Sequence, residues 1–67
     1  METVKKIKDT LTEDEFLNVL IMVEEGKLKV AVDFIVRKTD LPLKEAGLAL
    51  KAIAKEELGK DIFKFYV

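Results

Sequence analysis

The sequence predicts a mostly α-helical domain of three helices, the second and third forming a helix-turn-helix-like hairpin, with a short C-terminal β or extended segment. A small α+β arrangement is the alternative. Three observations lead to this reading. Thr12-Glu13-Asp14-Glu15 has the pattern of a capping box, in which a threonine hydroxyl and a glutamate three residues on satisfy each other's backbone amides. Apolar residues recur at helical spacing from Leu43 to Leu58. Gly26, Pro42 and Gly59 punctuate the chain at helix-length intervals.

The first helix is expected at about 12–25. Leu11 before the cap and Phe16 after it suit a hydrophobic staple, and the acids of the first turn complement the helix dipole. Gly26 closes it as a left-handed cap. A second helix is expected at about 28–38. Its β-branched residues make a strand the rival reading, but Lys29, Asp33 and Arg37 form a charged ladder at i, i+4, i+8, and alternation is absent.

Thr39-Asp40-Leu41-Pro42 reads as a turn, with Pro42 suited to the start of the next helix. The third helix is expected from Leu43 to Leu58, with Leu43, Ala46, Leu50, Ile53, Ala54 and Leu58 on one face. Gly47, in its middle, costs about 1 kcal/mol against alanine and predicts a close approach of the preceding helix. The tail Ile62–Val67 holds three of the five aromatic residues and reads as a short strand or extended segment on the helices. Thr3–Lys8 is open between a strand that pairs with the tail and a helical turn; Val4, Ile7 and Leu11 are spaced more like a helix.

A chain of 67 residues, 49% apolar and 37% charged, has room for one packed domain, and its composition argues against disorder. So small a core stabilises only marginally without a disulfide, a metal or a partner chain. The sequence has no cysteine and no histidine, so a partner is the remaining aid. The lack of cysteine fits a reducing compartment. No secretion-signal or membrane-spanning pattern is present, and the protein is expected to be soluble and cytoplasmic, with no membrane partner.

Catalysis is not expected. Without Ser, Cys or His there is no nucleophile–base pair of the triad type. The acidic groups at 13–15, 24–25 and 56–57 are better explained as a capped helix start and solvated helix surface. Zinc has no soft ligands, no calcium loop is present, and the three glycines are too far apart to cradle a phosphate. No cofactor and no metal are expected.

The first helix is apolar around most of its circumference, from Phe16 to Val23, whereas a surface helix needs a stripe of little more than ~100°. Either the rest of the monomer sandwiches it, or a homodimer or obligate partner covers its second face. Leu17, Ile21 and Met22 are the candidate self-association residues. Charge is also unevenly spread. Residues 9–25 carry six acids and no bases; residues 27–55 carry seven bases against three acids, a sum of +4 in a chain of net charge −1.

Gly26-Lys27, Ala31-Val32, Ile35 and Thr39-Asp40-Leu41-Pro42-Leu43-Lys44-Glu45-Ala46 resemble the helical hairpin of the C-terminal domain of the bacterial ribosomal stalk protein, a likeness covering roughly residues 12–54. The resemblance implies a compact hairpin that docks on a protein partner. The places where that family contacts translation GTPases hold Asp33, Val36 and Gly47 here, so it does not extend to that role. Lys38-Thr39-Asp40-Leu41, Lys44-Glu45-Ala46 and Ala49–Ile53 are also similar to the N-terminal helices of histone-like DNA-bending proteins, without the DNA-binding arm. The order helix, turn, helix, terminal strand has the layout of a winged helix-turn-helix.

These readings converge on a small regulatory or assembly module that binds a protein partner or itself. DNA binding is the alternative. Lys44, Leu48, Lys51 and Lys55, on the side of the third helix away from its apolar stripe, are the candidate partner-binding face. That face has no Arg, Asn, Gln or Ser to read base edges, so phosphate contact is the most it offers DNA.

Overall fold

The computed structural model describes residues 2–59, which form four helices: α1 (Glu2–Thr10), α2 (Glu13–Glu24), α3 (Leu28–Thr39) and α4 (Leu43–Leu58). The mostly helical class is therefore as expected, with one helix more. The C-terminal strand or extended segment expected at Ile62–Val67 lies outside the described residues.

The additional helix is the segment that the sequence left open. In α1, Val4 and Ile7 are buried, and Leu11 continues the row beyond the helix end. Apolar positions at i, i+3 and i+7 face the same way only in a helix. Burial of that row against α3 and α4 decides the conformation.

α2 starts as its sequence requires. Thr12 Oγ1 accepts the Glu15 amide at 3.1 Å, and Glu15 Oε1 accepts the Thr12 amide at 3.0 Å. Its end is a Schellman motif. The Lys27 amide donates to the Met22 carbonyl at 2.8 Å and the Gly26 amide to that of Val23 at 3.1 Å, while Gly26 takes φ +77°.

α3 is a helix in spite of its β-branched residues, because Leu28, Ala31, Val32, Ile35 and Thr39 bury one stripe. Lys29, Asp33 and Arg37 remain exposed. The helix ends where Thr39 Oγ1 turns inward. This hydroxyl donates to the Ile35 carbonyl at 2.7 Å and accepts the Leu41 amide at 3.3 Å, so a buried polar atom is satisfied twice. Asp40 then reverses the chain at φ 59°, a left-handed conformation that Asp adopts more readily than most residues.

α4 has the bounds expected of it and is capped by Gly59 at φ 66°. It packs against α1, α2 and α3, and together with α3, which also touches every other helix, it forms the centre of the fold. Ala46, Ala49, Leu50, Ile53 and Ala54 are fully buried, and the small side chains let neighbouring helices approach. Two positions differ from the expected stripe. Leu43 is 60% exposed, because it opens the helix beyond the core, where Leu41 is buried instead. Ala49, not expected on the stripe, is buried.

Candidate functional site

Among the described residues, the all-round apolar α2 is only half covered. Val19 and Val23 are buried in the core, and Phe16, Leu20 and Met22 pack partly against it. Leu17 and Ile21, one turn apart, are 55% and 45% exposed. Of the expected self-association residues, Leu17 and Ile21 therefore share an outward face, while Met22 is half-buried at its edge. At ~100° per residue, Glu13, Asp14, Glu24 and Glu25 fall within the same arc, and all four are exposed.

Beside this face lies a groove of about 400 Å³, where the end of α1 and the end of α4 meet the first turns of α2. Leu11, Phe16, Leu17 and Leu20 supply its apolar lining, and Glu13 and Glu57 stand among its polar residues. Lys8, also in the lining, is held toward α4 by Glu56 Oε1 at 3.1 Å and Glu57 Oε2 at 3.9 Å. The sequence reading missed this groove. It depends on the α1–α2 corner, which forms only once α1 packs on the other helices.

The second expected surface lies on α4. Lys44 and Lys55 are exposed, Leu48 is 43% exposed, and Lys51 is half-buried on the same side. Lys44, Leu48 and Lys55 follow one another at i, i+4 and i+11, so their side chains lie along one stripe. Lys44 and Lys55 form no ion pair among the described residues. Glu45 and Glu56 border the stripe on its other flank, and Glu56 is already engaged by Lys8.

The basic residues of α3 are differently placed. Val30 is 50% exposed, which the sequence reading did not anticipate. Around it, however, Lys27 pairs with Glu25 at 3.4 Å and Lys38 with Glu15 at 2.8 Å. The Lys38 ammonium also lies 5.8 Å from the centre of the Phe34 ring. Its hydrogen bond to Glu15, with the Thr12 amide, holds the Glu15 carboxyl below the usual carboxylate range, against a smaller opposing effect of desolvation.

No cluster of three or more metal-ligating side chains occurs among the described residues, and none of their helices is long and apolar enough to cross a membrane. In comparisons with known proteins, no family model, no curated protein and no solved structure matches the chain.

Proposed function

We propose that this chain is a protein-interaction or assembly module that works without catalysis and docks through apolar side chains carried outward on its helices. The observation that carries the reading is the Leu17–Ile21 pair, half exposed on α2 and continuous with the groove lined by Leu11, Phe16 and Leu20. Single exposed leucines are ordinary on a protein surface. A contiguous apolar face with a polar border is the pattern of an interaction site. The likeness of residues 26–46 to the stalk-protein hairpin points the same way, with Lys44, Leu48, Lys51 and Lys55 as a second docking face. The lack of Ser, Cys and His supports a non-enzymatic role, and the lack of Cys agrees with a cytoplasmic setting.

The test is a photo-reactive phenylalanine analogue placed at Leu17, at Leu48, or at the exposed control Lys6, and irradiated in cells that express the protein. Protein adducts at 17 or 48, and none at 6, are expected. Equal labelling at all three positions, or none at 17 and 48, would remove the reading.

One observation favours DNA as a second reading. A three-residue turn from Asp40 to Pro42 joins α3 to α4, and Lys44 and Lys55 face outward from the second helix. Binding of random-sequence duplex DNA that weakens steeply with salt would make this the leading function.

A further inference from the structure

Resting on the interaction-module reading, we propose that the α2 face is covered by the α4 face of a second copy of this chain. The α2 face is apolar at its centre and acidic at both ends, with Leu17 and Ile21 between Glu13 and Asp14 on one side and Glu24 and Glu25 on the other. A two-fold contact of α2 on α2 would set the acids of one copy against those of the other, and like charges across an interface disfavour it. The occupant must therefore bring an apolar side chain flanked by cations.

α4 carries that pattern outward. Leu48 stands between Lys44 and Lys55, the latter two unpaired among the described residues. The lengths agree as well. Asp14 and Glu25 are eleven positions apart, as are Lys44 and Lys55, about 16 Å along either axis at ~1.5 Å per residue. When the ends are paired with the helices parallel, Leu48 falls between Leu17 and Ile21; with the helices antiparallel it falls on Ile21. The α3 face around Val30 fits less well, because exposed Asp33 stands beside Val30 and Arg37 and would oppose the α2 acids, and Lys38 is held by Glu15 of its own chain. The exposed Lys27–Glu25 pair, at 3.4 Å, opens to release Glu25 to the second copy. The contact joins unlike surfaces, so one copy retains a free α4 face and the other a free α2 face unless a two-fold pair makes the contact twice or a ring closes.

The experiment is sedimentation velocity on the full chain over a wide concentration range, in low and high salt, with two charge-reversed variants. One carries Asp14→Lys and Glu25→Lys; the other carries Lys44→Glu and Lys55→Glu. Circular dichroism establishes that each retains its helices, and Leu48→Asn serves as an uncharged variant of the same contact. The wild type is expected to self-associate, less so in high salt. Each charge-reversed variant is expected to be monomeric alone, because its two faces now carry like charge. An equimolar mixture of the two should associate again, since each supplies the complement of the other. A monomeric wild type at every concentration, an association that both variants retain, or a mixture that stays monomeric would each overturn the proposal. A monomeric wild type whose position 17 still cross-links to other proteins in cells would overturn the second-copy inference alone. Failure of both would remove the interaction-module reading as well.

Discussion

Lys38 Nζ lies 2.8 Å from Glu15 Oε2, while Glu15 Oε1 caps the Thr12 amide, so one carboxylate fastens the end of α3 to the start of α2. The two residues are 23 positions apart in sequence, and each also serves its own helix. The pair sits near the surface, where an isolated ion pair contributes little. Its effect is local: it fixes which way the first turn of α2 faces.

This carboxylate makes stability depend on pH. Because the folded-state pKa of Glu15 is lowered, its contribution is present above the ordinary carboxylate range and lost as pH falls through the folded-state value. Glu15→Gln keeps an oxygen for the Thr12 amide but removes the charge. Urea unfolding should find the wild type more stable than the variant near neutral pH, with the gap closing in acid. A gap that persists unchanged to low pH would show that the charge is not its source.

Removing the other half of the capping box gives a simpler outcome. Thr12→Ala is expected to cost about 1 kcal/mol, read as a lower urea midpoint with an unchanged slope. An unaltered midpoint would mean that water replaces the hydroxyl without loss.

The same substitution at two threonines should have opposite signs. Thr39→Val removes a hydroxyl with two partners and leaves the Leu41 amide without its acceptor, a loss of about 1–2 kcal/mol. Thr3 Oγ1 is buried and has no hydrogen-bond partner among the described residues. Thr3→Val, equal in shape, is expected to raise stability by up to about 1 kcal/mol. Thermal unfolding of the two variants tests the contrast, and a decrease of the same size in both would refute it.

Leu48→Glu is expected to leave the midpoint of unfolding within about 0.5 kcal/mol of wild type, as exposed positions usually do. It should weaken association with the partner at least tenfold, measured by sedimentation or by titration with a labelled copy. Ile53→Ala, in the fully buried layer of the same helix, should instead cost about 2–5 kcal/mol. Unchanged association by the Leu48 variant would place the docking surface elsewhere.

Much of the fold was legible in the sequence because its signals are local. The capping box, the Gly26 and Gly59 caps and the bounds of α4 each depend on residues within a few positions of one another. α1 was harder to read, since a nine-residue helix is marginal by itself and is decided by packing against α3 and α4. The exposure of Leu17 and Ile21 had a signal, an apolar surface too wide for one core, and both belong to the expected self-association set, whereas Met22 of that set is half-buried against the core. The groove and the Glu15–Lys38 pair had none, because both unite residues that only the tertiary fold brings together.

The docking of α1 on α4 has a kinetic consequence. α2 and α3 can close on each other, and α3 on α4, across turns of a few residues, which involves little loop entropy. α1 must find α4 across the whole intervening chain, joined there by Lys8 and Glu56. Local hairpins form ahead of such distant contacts, so α1 should be the last helix to settle and the first to detach. Its amides would then exchange with solvent deuterium through partial opening, while those of Leu50 and Ile53 wait for the whole molecule to unfold.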